Sequence, residues 1–251
     1  MRVVLVGAGN VATVLAALLT KNHHTVSQVI NRNIFHAKEL ANKYNATYTD
    51  FEGKPDLTAD IFIIATTDAS LTDNFASLNT GDRLVVHTAG SVSKDVLKKI
   101  SKNYGVLYPL QSLRKELVEI PPIPFLVDGN NEGSLIYLKQ FALTISDNVH
   151  QATDEERLTL HTAAVIVSNF TNHLYTLAEE FCIKEKVTFD LLKPLIMQTA
   201  LRISNSSPAA VQTGPAARKD IFTLDKHLRI LGNHPKLRIM YMRLTESIMN
   251  P

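Results

Sequence analysis

The stretch VLVGAGNVA, residues 4–12, decides the fold. It leaves a valine-rich run, RVVLV (2–6), passes through the pattern G-x-G-x-x-A and enters VATVLAALLTK (11–21), which has helical periodicity. A glycine pattern alone says little. Between a strand and a helix it describes a loop that cradles a dinucleotide. Gly7 permits the tight turn, Gly9 lets backbone approach a pyrophosphate, and Ala12 stands where helix and strand pack closely. Asn10 and Val11 open the helix, whose free N–H groups and positive dipole end favour phosphate. An ordinary strand-to-helix turn is the competing reading.

Outward from this loop the alternation continues. TVSQVI (25–30), IFIIAT (61–66), RLVVHT (83–88), GVLYPL (105–110) and PFLVDG (124–129) read as strands, and IFHAKELANKY (34–44) as a helix. Continuous apolar strands separated by helices indicate a parallel sheet covered on both faces. The expectation is α/β, a doubly wound parallel Rossmann sheet. The character changes near residue 151. Thr153 and Glu156 form a capping-box pattern that opens a long helix reaching to about Phe181. Its middle, HTAAVIVSNF (161–170), is apolar on nearly all sides and is expected to be buried on nearly all sides. A second helix is expected over 189–204, a loop over QTGPAARKD (212–220), a helix capped by Asp220 and a last one opened by Pro235. No strand signal follows residue 151. The expected domains are 1–151, binding a nucleotide, and 152–251, all-helical, serving dimerisation and substrate.

The end of the second strand selects the dinucleotide. Binders of NAD place an acid there to grip the ribose 2′-hydroxyl. Here Asn31 and Arg32 stand instead. A guanidinium clamps a 2′-phosphate, which a carboxylate would repel. NADP is therefore the expected cofactor, with Arg32 as a mere surface residue the alternative. Thr66, Thr67 and Asp68 follow the third long apolar run, where the loop passes over the cofactor. Thr67 or Asp68 capping the next helix is compatible with that role.

Composition removes other classes. The 251 residues carry a net charge of +2 with histidines neutral, and no Lys/Arg block suggests nucleic acid. Apolar residues make up 45% and charged ones 20%, ordinary for a globular protein. The single cysteine, Cys182, forbids an internal disulfide, fits a reducing cytoplasm and reads as a packing residue. The apolar start after Arg2 superficially resembles a signal peptide, but Gly7, Gly9 and Asn10 interrupt it, and no run reaches the roughly 18 residues of a membrane span. The nine histidines and one cysteine show no zinc spacing.

Candidate chemistry lies at later strand ends and in the helical half. His87 closes an apolar strand run and could titrate near neutrality; a hydrogen-bonded structural histidine is the alternative. Gln111 and Ser112 follow the YPL run and could hold a nicotinamide amide or a substrate. Asn169, Asn172 and His173 share one helix face, toward a cleft or toward a neighbouring helix. Thr213, Gly214, Arg218 and Asp220 lie in one loop, where Arg218 could neutralise a carboxylate or phosphate, or pair with Asp220.

The segments GAGNVA (7–12), HTAGS (87–91), YPLQS (108–112), NFTNHL (169–174) and QTGPAARKD (212–220) together resemble a bacterial family with a Rossmann-like N-terminal domain and a helical C-terminal domain of unknown function. Its members carry the provisional name of NADP oxidoreductases. The chain is more distantly similar to pyrroline-5-carboxylate reductases, 6-phosphogluconate-dehydrogenase-like enzymes and deazaflavin-dependent NADP reductases. The resemblance implies a helical domain that closes the active site and builds a homodimer. Hydroxyacid dehydrogenases of that superfamily carry a general acid-base lysine four residues before an asparagine of the long helix. Here Val165 stands four before Asn169, so that chemistry does not carry over. Two functions remain open: an NADP-dependent reductase of a small metabolite, with His87, Gln111, Asn169 and Arg218 as catalytic candidates, and a non-catalytic NADP-binding sensor.

Overall fold

The computed structural model describes residues 1–71, 75, 78, 80–116 and 118–250. Its first part is an eight-stranded sheet. Strand β1 (Arg2–Val6) leads through the glycine loop into helix α1 (Asn10–Lys21), and β2 (Thr25–Ile30) into α2 (Ile34–Lys43). There follow β3 (Thr47–Thr49), β4 (Ile61–Ile64), the short α3 (Asp68–Leu71), β5 (Leu84–His87), β6 (Tyr104–Pro109), β7 (Phe125–Gly129), α4 (Glu132–Leu143) and β8 (Val149–Gln151). The spatial order is β3-β2-β1-β4-β5-β6-β7-β8. The chain thus winds one way from β1 to β3 and the other way from β4. The reversal between β1 and β4 opens a crevice beyond their carboxyl ends.

Strand alternation builds two cores. Val3, Leu5, Ile61, Ile63 and Val86 face Leu15, Leu19, Leu40, Leu138 and Phe141 on one side of the sheet. Val4, Val6, Phe62, Ile64 and Val85 pack with Leu71, Phe75 and Leu97 on the other. Because both faces are covered, the central strands need no polar positions, and β1 and β4 are buried along almost their whole length.

The sheet departs from a purely parallel one at a single pair: β6 and β7 run antiparallel, Val106 opposite Asp128 and Tyr108 opposite Leu126. A parallel partner would need a crossover element, whereas an antiparallel one can be reached through a loop. No helix lies between Leu110 and Pro124 among the described residues.

Helix α5 (Asp154–Ala164) opens with the expected capping box: the Thr153 hydroxyl accepts from the Glu156 N–H at 3.3 Å, and the Glu156 carboxylate accepts from the Thr153 N–H at 2.8 Å. A π-helical turn (Val165–Phe170) and α6 (Thr171–Lys184) continue it. The chain divides into two compact units, Met1–Ile166 and Val167–Pro251, and the division falls inside the π turn. The sheet ends at Gln151, where the sequence placed the boundary, but α5 belongs to the first unit. Arg157 of α5, 1% exposed, donates from Nη2 to the Val92 carbonyl of that unit and, within the helix, to Asp154 Oδ1.

The second unit holds α6, α7 (Lys193–Arg202), α8 (Ile221–Ile230) and α9 (Pro235–Met249). Asp220 caps α8 by accepting from the Thr223 N–H at 3.1 Å, and Pro235 opens α9. Cys182 is a buried free thiol, and His234 stacks edge-on against Phe181 while bonding Glu185 at 2.7 Å. The segment 161–170 corrects an expectation: Ile166, Val167 and Phe170 are exposed rather than buried. No helix among the described residues is long and apolar enough to cross a membrane.

Candidate functional site

The crevice at the β1/β4 reversal is a cavity of about 780 Å³. Gly7, Gly9, Asn10, Val11, Asn31, Arg32, Thr66 and Thr67 all line it. Gly7 has φ +117°, and a Cβ there would stand 2.2 Å from the Ala65 carbonyl oxygen, so β1 and β4 can meet only across a glycine. Gly9 is glycine for the opposite reason. A Cβ there would meet nothing within 4 Å and would project into open space. Gly9 also caps α1 with no side-chain hydrogen bond, and the first turn of α1 carries no acid. The loop therefore presents uncapped N–H groups and no side chain to whatever enters the crevice.

Around this floor the walls differ in chemistry. Asn33 caps α2 by accepting from the Phe35 N–H at 2.9 Å, which fixes the turn holding Asn31 and Arg32. The Thr66 hydroxyl is buried without a partner. Phe35, Phe51 and Phe75 supply an aromatic side, with Phe51 and Phe75 edge to face at 5.5 Å. No carboxylate stands among the described lining residues. Asn10 Oδ1 accepts from the Lys115 N–H at 3.2 Å, so the segment after β6 folds back onto the glycine loop.

Asp68 does not line the cavity; it opens α3 and accepts a hydrogen bond from the Ser91 hydroxyl. Thr67 serves as the helix cap the sequence allowed for, its hydroxyl 3.4 Å from the Ser70 N–H and 2.9 Å from the Ser70 hydroxyl. Gln111 is exposed, its Oε1 accepting from the Ser112 N–H at 2.9 Å. Asn169 lies in the π turn and Arg218 in the loop before α8, both in the second unit. Asn172 and His173 are exposed on α6.

His87 does not present a proton to the crevice. It is fully buried, Nδ1 accepts from the Ala89 N–H at 3.1 Å, and Nε2 lies 3.3 Å from the Ser93 carbonyl. Burial, and next the Arg157 charge, press its pKa down to about 4. The ring is neutral at neutral pH and shapes the HTAGS turn, the structural role that the sequence left open.

A different pair occupies the strand ends. Tyr108, at the end of β6, and His161, on α5, are hydrogen-bonded with Oη 2.9 Å from Nδ1 and their rings edge to face at 5.8 Å. Gly90 lets them in: a Cβ there would lie 2.7 Å from His161 Cγ and 3.0 Å from Tyr108 Cζ. Burial, and then the Asp68 charge, raise the Tyr108 phenol above its usual pKa, so it stays protonated at neutral pH. Sequence reading quoted both segments and weighed neither side chain, nor the phenylalanines of the crevice.

Residues 123–248, half of the chain, match the model described as domain of unknown function DUF2520. The chain belongs to this family. Residues 1–81 of this DUF2520 member also match the model described as shikimate / quinate 5-dehydrogenase. A Bacteroides fragilis protein provisionally named an NADP oxidoreductase is 37% identical, with TM-score 0.89 over 100% of this chain and 98% of its own. A Thermotoga maritima protein is 24% identical, with TM-score 0.80 over 98% of this chain and 97% of its own. An Aspergillus terreus reductive aminase, solved with NADPH and ethyl-5-oxohexanoate, shares the fold at 12% identity and TM-score 0.73, over 98% of this chain and 92% of its own. No curated protein sequence matches the chain.

Proposed function

We propose that this DUF2520 protein is an NADP(H)-dependent oxidoreductase that transfers a hydride between the nucleotide and a small metabolite. The observation that carries the reading is the crevice itself. It joins the uncapped α1 terminus, the open space above Gly9, the unpartnered Thr66 hydroxyl and Arg32 in one cavity with no carboxylate among its described lining residues. In this reading Gly7, Gly9, Asn10 and Val11 receive the pyrophosphate, Asn31 and Arg32 the 2′-phosphate, and Thr66 and Thr67 the segment leading toward the nicotinamide. The aromatic wall suits a flat base. The bound nucleotide supplies the hydride. The name of the Bacteroides fragilis relative and the NADPH held by the reductive aminase support the assignment. His87 leaves the list of proton donors; Gln111, Asn169 and Arg218 stay as substrate-contacting candidates. The single buried thiol suits a cytoplasmic setting.

Titration calorimetry with NADP(H) and NAD(H) tests the assignment. NADP is expected to bind at least tenfold more tightly. Arg32→Ala is expected to weaken NADP by about 10- to 100-fold, the worth of one charge-assisted phosphate contact, and to leave NAD unchanged. Equal affinity for the two nucleotides would remove the role of Arg32.

A second copy of the chain is the partner we propose for the second unit. Val167 is 71% exposed and Leu191 79%, and Phe170 and Phe222 are also exposed. So much uncovered apolar surface is characteristic of an interface. Light scattering at micromolar concentration is expected to give a dimer mass, and a monomer mass would refute this partner.

A further inference from the structure

We infer that Tyr108 and His161 form the proton-donating pair of this site, taking as given the NADP reading above. The argument is geometric. The crevice wall runs through Ala65, Thr66 and Thr67 into Asp68. Asp68 accepts from the Ser91 hydroxyl, and the neighbouring Gly90 stands so close to the pair that a Cβ there would meet both rings. Neighbouring residues thus lead from the crevice along the carboxyl ends of β4, β5 and β6 to Tyr108 and His161, the end of the sheet where ligands of such folds react.

The pair has what a donor needs. One proton lies between Oη and Nδ1 at 2.9 Å, and whichever atom holds it, a second proton is left for the site. If the phenol donates, His161 keeps its proton on Nε2. If Nδ1 donates, the phenol hydrogen is free. The charged and titratable groups nearby are Asp68 at the head of α3, Arg157 one turn earlier on α5, and the neutral His87. Asp68 helps to keep the phenol protonated, and Arg157 opposes it. Reduction of a carbonyl or imine adds a hydride to carbon and a proton to oxygen or nitrogen. The dihydronicotinamide that gives the hydride is oxidised, the carbon is reduced, and the proton comes from this pair, which takes another from solvent. The substrate class follows: a small ketone, aldehyde or imine, whose product heteroatom must be protonated.

A donor of this kind holds its proton beside the reduced nucleotide and gives it up more readily beside the oxidised, positively charged ring. Calorimetry of nucleotide binding at pH 6.5, in PIPES and in Bis-Tris, counts the protons released and needs no substrate. NADP⁺ is expected to release more protons than NADPH, because its ring carries one more positive charge. His87 contributes nothing there, since it is already neutral. His161→Gln is expected to abolish the difference and Tyr108→Phe to alter it. Gly90→Ala, which drives a methyl into the imidazole, is expected to reduce it without removing either side chain. Equal release by the two nucleotides in the wild type overturns the pair, as does a difference that survives in His161→Gln. Absence of binding by both nucleotides instead overturns the NADP reading on which the pair rests.

Discussion

The two compact units bury their apolar residues in opposite ways. In Met1–Ile166 the sheet is covered on both faces, and Val3, Leu5, Ile63, Phe125 and Phe141 are almost wholly removed from water. In Val167–Pro251 the buried apolar side chains among the described residues are Leu177, Cys182, Ala216, Leu224 and Leu231, while Ile183, Met197 and Phe222 stay exposed. The first unit therefore holds a two-sided core of its own and the crevice at the β1/β4 reversal. The second leaves much of its apolar surface uncovered, the surface for which we propose a second copy as partner. A sheet fills its faces from its own crossover helices, whereas a few short helices cannot enclose one another completely.

The largest expected effect tests how self-contained the first unit is. Gly7→Val places a branched side chain at φ +117° against the Ala65 carbonyl. Strain and overlap together should cost about 3 kcal/mol or more in urea unfolding, and nucleotide binding should vanish. Gly9→Ala separates stability from binding. Its Cβ enters open space, so the unfolding midpoint should hold within about 0.5 kcal/mol, while NADP affinity falls at least tenfold because the methyl occupies the phosphate cradle. A Gly9→Ala variant with undiminished affinity would move the nucleotide out of this crevice.

Acid should also act on the first unit. His87 is neutral when folded, with its pKa pressed to about 4, and is free to protonate near 6.5 when unfolded. Its contribution is complete above pH 6.5 and is lost as pH falls from there through 4, since the unfolded chain then binds the extra proton. The difference amounts to about 3 kcal/mol by pH 4. His24, lowered in the same direction by burial and by neighbouring positive charge, adds to the slope. Urea midpoints at pH 7, 5.5 and 4 measure the slope, and His87→Asn should flatten it. An unchanged slope would mean that His87 is hydrated in solution.

The second unit should respond to concentration instead. If a second copy covers Val167, Leu191 and Phe222, raising the protein from its dimer dissociation constant to a hundredfold above it adds about 2 to 3 kcal/mol to that unit alone. Two calorimetric transitions, of which only one moves with concentration, would confirm the contrast. A single transition independent of concentration would break it.

What was legible in the sequence follows the range of the interactions. The strand-loop-helix at the glycines, the Asn33-capped turn that holds Arg32 and the capping box at Thr153 are local, written within a few residues, and are found where the sequence puts them. Strands β3 and β8 have only three residues each, and their exposed polar positions, Thr47 and Gln151, hide their period. Helix α4 was invisible as a periodic pattern although Asn131 caps it. The antiparallel turn of β7 depends on a missing crossover, which no strand motif records. Contacts made only in the fold also decide how His87 reads. His87 looks reactive in HTAGS until the Ala89 N–H and Ser93 carbonyl close on its nitrogens. Tyr108 and His161 look structural until a fold brings together side chains 53 residues apart. Gly90 was a trace of that meeting, because a glycine beside a strand end marks a close approach that sequence alone does not aim.

The smallest effect concerns the border between the two units. Helix α5 starts beyond the sheet, yet Arg157 fastens it to the Val92 carbonyl, within the first unit. Thr153→Ala removes the one hydroxyl that both accepts from the Glu156 N–H and donates to Glu156 Oε2 at 2.9 Å. Loss of such a cap costs about 1 kcal/mol. If α5 unfolds with the sheet, this loss appears wholly in the transition that His87→Asn also shifts, and the concentration-dependent transition stays where it was. If the loss appears in the concentration-dependent transition instead, α5 unfolds with the helices that follow it, and the energetic border lies at the end of β8 rather than in the π turn. Differential scanning calorimetry of the single variant at two protein concentrations distinguishes the two, because the assignment depends on which peak moves and not on the size of the shift.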